Sequence, residues 1–197
     1  GKMKSREGQV ILYEELKEKM RETAKKITKE KNPKLSKSEL EKTAKVVSLG
    51  ALKYDMVKVS PEKTIVFNWE RALSFEGNNA PYLQYTHARC CSILRKAGMK
   101  PGKYDASALK DDKELVVLKR LSAFPELVEK AGREMRPHYI ATYTYELCDS
   151  FNEFYQFIPV IKAGEEEMKA RLALVDAVRI TLRNALELLG IEAPEKM

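Results

Sequence analysis

In the stretch APYLQYTHARCCSILRKAG, residues 80–98, two phenols and a guanidinium recur along one side of a helical repeat: Tyr82, Tyr85 and Arg89. Ser92 and Lys96 continue that side, while Leu83, His87, Cys90, Leu94 and Ala97 form a largely apolar stripe elsewhere on the helix. Flat rings beside a fixed cation suit the stacking of unpaired nucleobases, each stacked base being worth about 1–3 kcal/mol. The competing reading is plain packing, with both tyrosines half-buried against a neighbouring helix and their hydroxyls turned outward. A second aromatic group lies in YIATYTYELCDSFNEFYQFIPV, residues 139–160. Its rings, Tyr139, Tyr143, Phe151, Phe154, Tyr155 and Phe157, go all round the helix and are too many for one core stripe. Phe151 and Tyr155, at i and i+4, could share one exposed ridge, though plain packing between bundle helices is the favoured reading.

Other chemistries find little material. Two histidines, His87 and His138, leave few options for imidazole catalysis, and no Gly-rich phosphate loop, nucleophile elbow or clustered acidic metal site is present. No complete catalytic set and no metal site is therefore expected. Cys90, Cys91 and Cys148 are odd in number and lack metal spacing. Neighbouring residues on a helix face different sides, so buried free thiols are expected rather than a disulfide.

The elements that would hold these residues are helices. With 197 residues the chain can bury a core of good size, and its net charge of +7 mildly favours a polyanionic partner. No run approaches the roughly 18 apolar residues of a membrane span, and GKMKSREGQV has no signal-peptide core, so no membrane association and a cytoplasmic location are expected. A charged helix over 9–30 is predicted to stop at Pro33. Lys34–Ser38 spells KLSKS, close to the Lys-Met-Ser-Lys-Ser loop that class I aminoacyl-tRNA synthetases lay on ATP. Ser36 followed by Glu39 and an apolar stripe at Leu40, Ala44, Val47 and Ala51 predicts instead a helix N-cap with a capping box. KTIVFNWERALSF, 63–75, is the one piece that could be extended, at most over 63–68. Further helices are predicted over 81–97, 113–121, 125–133, 137–158 and 165–189, the last closed by Gly190. The expected fold class is an all-α helical bundle.

Several long stretches, in order, carry a family resemblance. GALKYDMVKVSPEKTIVFNWERALSFEGNNAPYLQYTHARCCSILRKAG, YTYELCDSFNEFYQF and ARLALVDAVRITLRNALELLGIEAPEKM resemble the C-terminal part of arginyl-tRNA synthetases, and the similarity runs from Gly1 to Met197. The resemblance implies that residues 1–75 end a catalytic domain, with signature loop, stem-contact helices and connector. Residues 76–197 would be an α-helical anticodon-binding domain. The family's ATP loop falls on Lys2, Met3, Lys4, Ser5 and Arg6, with Lys4 where the family has serine and Glu7 where a lysine is common; Lys34–Ser38 is then a decoy. The anticodon-contacting positions fall on Tyr82, Tyr85, Phe151 and Tyr155, with Arg89 beside the first pair and Met197 at the chain end.

The parent reaction implied is arginine plus ATP plus tRNA giving arginyl-tRNA, with ATP and magnesium used by the whole enzyme and no cofactor held by this part. The nucleotide-binding sheet with its His-Ile-Gly-His signature has no counterpart here, so the chain reads as a piece of a synthetase expected to be inactive alone. Its expected partners are arginine-specific tRNA and the catalytic domain. Ile11, Leu12 and Leu16, expected to be exposed, would support self-association. Two alternatives stand beside this reading: a free-standing helical RNA-binding or assembly module without ligase activity, and a structural helical protein with no RNA role.

Overall fold

In this computed structural model, residues 13–31, 33, 35–66, 68–98 and 102–197 are described. They form helices α1 (Tyr13–Lys31), α2 (Lys37–Val57), the single turn α3 (Trp69–Ala72), α4 (Ala80–Ala97), α5 (Asp112–Arg133), α6 (His138–Phe157) and α7 (Glu165–Leu188). A short 3-10 turn, Ala106–Ala108, precedes α5, and no strand occurs among the described residues. The all-α class is thus established. Residues 63–66 are coil, with Ile65 and Val66 exposed; a lone extended segment has no neighbour with which to pair its backbone.

Local sequence accounts for several helix ends. Ser36 Oγ accepts from the Glu39 amide at 3.3 Å while the Glu39 carboxylate accepts from the Ser36 amide at 3.1 Å, so Ser36 opens α2 through a capping box. Those bonds hold the Glu39 carboxyl below its usual pKa. Asn79 caps α4 by accepting from the Tyr82 amide, and Gly98 ends it in the left-handed region at φ 66°. Gly190, at φ 68°, closes α7: its own amide donates to Glu187 O and that of Ile191 to Leu186 O, both at 2.9 Å, leaving Ile191 in the core beside Leu186.

One expected helix break is absent. The two helices predicted on either side of Pro125 are a single α5, with the proline inside it. An interior proline costs about 3 kcal/mol. Leu121, Phe124 and Leu127 pack onto the main core, the Phe124 ring stacks on Tyr143 at 5.3 Å, and the Tyr143 hydroxyl donates to the Arg120 carbonyl at 2.9 Å. Full burial of one such side chain is worth about 1.5–3 kcal/mol, and these three, each partly buried, together offset a cost of that size.

Two cores result. The larger joins α4, α5, α6 and α7 around Leu83, Val117, Leu147, Phe151, Phe154, Leu172, Val178, Leu182 and Leu186. The smaller lies between α1 and α2, on Met20, Ala24, Ala44, Val47 and Ala51, with Leu16 packed against it rather than standing exposed; Ile11 and Leu12 lie outside the described residues. Helix α2 serves both, since Tyr54 reaches the larger core with its hydroxyl between Asn78 Oδ1 (2.6 Å) and the Ala141 carbonyl (2.9 Å). Cys90, Cys91 and Cys148 are buried free thiols, and desolvation raises the pKa of all three. No helix among the described residues is long and apolar enough to cross a membrane.

Candidate nucleic-acid interface

Helix α4 carries Tyr85 and Arg89 one turn apart, and their side chains meet: the Arg89 guanidinium carbon is 4.8 Å from the Tyr85 ring centroid. The same guanidinium is 5.8 Å from the ring of Tyr155 on α6, so one cation serves two partly exposed rings. Asn152 fixes it. The Asn152 amide oxygen accepts from Arg89 Nη1, and its nitrogen donates to Tyr82 Oη at 2.9 Å and Thr86 Oγ1 at 3.1 Å. A guanidinium tied by one nitrogen is held near both rings, which a free side chain would not be.

The two tyrosines of α4 differ in role. Tyr85 is 40% exposed. Tyr82 is turned toward α6, 5.9 Å from the Tyr145 ring, with desolvation raising its phenol pKa against the opposing bond from Asn152. Tyr82 is thus half-buried against α6, as the packing reading has it, but its hydroxyl accepts from Asn152 instead of turning outward.

Phe151 and Tyr155 share no exposed ridge, and for Phe151 the favoured packing reading describes what is found. Phe151 is fully buried, because α6 turns this position into the core against Phe154. It lies nearly parallel to Tyr155 at 6.2 Å and 11°, so it supports that ring from beneath and offers no open face of its own.

Tyr85, Arg89, Tyr155 and Met197 line one cleft of about 840 Å³. Ser92, Arg95 and Lys96 extend its α4 wall; Thr28 of α1, Thr43 of α2, Leu35 and Phe75 close the other side, and Lys196 lies beside Met197. Among the described residues, four cations, Arg89, Arg95, Lys96 and Lys196, face a single acidic residue, Glu76, around the cleft. Such a lining can receive a flat ring between aromatic faces while its basic rim meets an anionic backbone.

Of the residues singled out in the sequence, Tyr85, Arg89, Tyr155 and Met197 come together, Tyr82 and Phe151 stand behind them, and Lys2, Met3, Lys4, Ser5 and Arg6 lie outside the described residues. Asn152, Phe75 and Arg95 were missed. Asn152, an uncharged amide inside the aromatic run SFNEFY, was the one signal available for the first. Among the described residues no group of three His, Cys, Asp or Glu side chains could hold a metal ion.

Comparison with known proteins gives two family matches, the DALR anticodon binding domain over residues 83–197 and the class I tRNA synthetase (R) catalytic domain over residues 1–69. Over its whole length the chain is 45% identical to the arginine–tRNA ligase of Methanosarcina barkeri, of which it covers 36%. It is 51% identical to that of Pyrococcus abyssi over 88% of the chain and 28% of the relative. The solved arginyl-tRNA synthetase of Thermus thermophilus matches with a TM-score of 0.90 at 40% identity, over 95% of this chain and 32% of that one. The chain thus spans about a third of the length of the curated relatives it matches.

Proposed function

We propose, for a chain that belongs to the DALR anticodon-binding domain family and matches the C-terminal region of arginyl-tRNA synthetases, that it binds arginine-specific tRNA through the cleft between α4, α6 and the terminal segment. The observation that carries the reading is the Arg89 guanidinium set between the rings of Tyr85 and Tyr155 at the mouth of a basic cleft. An unstacked anticodon-loop base would lie on Tyr85 or Tyr155, and Arg89, Arg95, Lys96 and Lys196 would meet its phosphates. Tyr82 and Phe151 take part from behind, Tyr82 through Asn152 and Phe151 through Tyr155. Met197 closes the cleft beside them.

The whole protein is read as an arginine–tRNA ligase of the cytoplasm. It would join arginine to ATP with release of pyrophosphate, then pass the arginyl group to tRNA with release of AMP. That work is positioning and electrostatic stabilisation of phosphates. ATP and its magnesium would be met by Lys2 to Arg6 together with the rest of the catalytic domain. For the 197 residues alone the reading is binding without ligation, with α1 and α2 facing the tRNA stem.

Filter binding with transcripts of an arginine tRNA and of a non-cognate tRNA tests the reading. Tighter binding of the arginine tRNA is expected, and equal affinity for the two would overturn it. Phosphate contacts alone cannot separate them.

A further inference from the structure

Beyond Gly190 the chain runs without regular structure along α4, and its carbonyls are taken in turn by side chains from two helices. Lys53 of α2 donates to Gly190 O. Gln84 Nε2 donates to Glu192 O at 2.9 Å, His87 Nδ1 to Pro194 O at 2.9 Å, and both terminal nitrogens of Arg95 to Glu195 O at 3.2 Å. A carbonyl only accepts, so Nδ1 is the protonated nitrogen of His87. Gln84 and His87 are buried, at 0% and 1% exposure, on the inner side of the helix whose outer side carries Tyr85 and Arg89. Gly50 leaves the room Gln84 occupies: a Cβ there would come within 2.8 Å of Gln84 Nε2. Buried amide and imidazole donors are costly when unpaired, and here Gln84 Nε2 and His87 Nδ1 find acceptors on a segment that has no ladder of its own, Gln84 Nε2 also reaching Val46 O at 3.4 Å, while Gln84 Oε1 has no partner among the described residues.

We propose that Gln84 and His87 are positioning residues for RNA recognition, holding the terminal segment so that Lys196 and Met197 form the wall of the cleft opposite Tyr155. The inference rests on reading that cleft as the RNA site. One rigid helix then sets two walls at once: its outer residues supply ring and cation, and its inner residues place the chain terminus. Together with the small core, against which Met197 packs, α4 sets the spacing between the walls before any ligand arrives.

The test compares the unaltered chain with His87→Leu, with His87→Asn, which keeps a donor where Nδ1 stands, and with Gln84→Met, which keeps volume and loses the donor. A chain lacking Lys196 and Met197 completes the set. Carboxypeptidase digestion followed by mass spectrometry reads the tail, and filter binding with an arginine tRNA transcript reads recognition. His87→Leu and Gln84→Met are expected to release terminal residues faster and to weaken binding about fivefold, the scale of one lost contact. His87→Asn is expected to restore both. In the shortened chain neither substitution should weaken binding further, because residues acting through one element are not additive.

The proposal is overturned if the shortened chain binds as the unaltered one while Tyr85→Ala binds more weakly, or if the substitutions still weaken binding once the two residues are gone. Gln84→Met carries the test should His87→Leu not fold. If Tyr85→Ala leaves affinity unchanged, the RNA site itself fails. The digestion then still decides whether Gln84 and His87 hold the tail.

Discussion

Arg89 spans two helices: its guanidinium carbon stands 4.8 Å from the ring centroid of Tyr85 on its own helix, and its Nη1 donates to Asn152 across the interface. Lysine at this position would keep the charge and lose both the flat cation beside the Tyr85 ring and the Nη1 donor from which Asn152 accepts. Arg89→Lys is expected to weaken arginine tRNA binding about tenfold, while the melting temperature moves little because an exposed cation–π pair is worth only about 0.5–1 kcal/mol. Filter binding and a thermal melt on the same sample separate the two effects, and unchanged affinity would remove Arg89 from the site.

Phe151 and Tyr155 should respond in opposite ways. Truncating the buried ring empties core space, so Phe151→Ala is expected to cost about 3–5 kcal/mol of stability in urea unfolding. Tyr155→Ala, at a ring 38% exposed, should leave the urea midpoint nearly in place. It should cost about 1–3 kcal/mol of RNA affinity if a base stacks there. A Tyr155→Ala protein that binds normally but unfolds early would assign that ring to packing alone.

Salt provides an independent check on the rim. Affinity should fall linearly on a log–log plot as salt rises, and Lys96→Ala should make the slope shallower by about 0.7 if it meets one phosphate of an unpaired strand. The same change should lower affinity for cognate and non-cognate transcripts alike. A parallel line for Lys96→Ala would mean that its ammonium meets no phosphate.

Acid should loosen the fold through His87. Burial depresses its pKa against the opposing bond from Pro194; Arg179 and Arg183 depress it further, and Glu195 pulls the other way. Cys91 is the remaining close group, 3.9 Å from Nε2. Because the folded value lies below the ordinary one near 6.5, the unfolded chain takes up a proton that the folded chain refuses. Stability is therefore full above pH about 6.5 and declines as the pH falls below it. Urea midpoints at pH about 7.5 and about 5.5 measure the drop, and His87→Asn should abolish this part of it. A variant with the same acid sensitivity would place the responsible group elsewhere.

Helical periodicity made Tyr85 and Arg89 legible, since residues four apart share a face wherever the helix lies. The α2 cap was legible for a similar reason: Ser36 and Glu39 satisfy each other without help from the rest of the chain. Tyr82 and Phe151 were not, because their burial depends on how α4 and α6 are rotated against one another. Asn152 joins residues 63 to 70 positions away, a link that no local pattern encodes. Pro125 misled for the converse reason, a strong local signal overruled by Phe124 and Tyr143 packing across an interface. The cleft's far wall, from α1 and α2, belongs wholly to tertiary structure.

The buried state of Cys90, Cys91 and Cys148 has a practical side. Their thiols are shielded from solvent and held largely protonated at neutral pH, so maleimide or disulfide reagents will find them slow. These are all the cysteines the sequence contains. A single cysteine introduced on an outward position of α5 would accept a fluorophore almost alone, giving the protein an optical handle without first stripping its native sulfur.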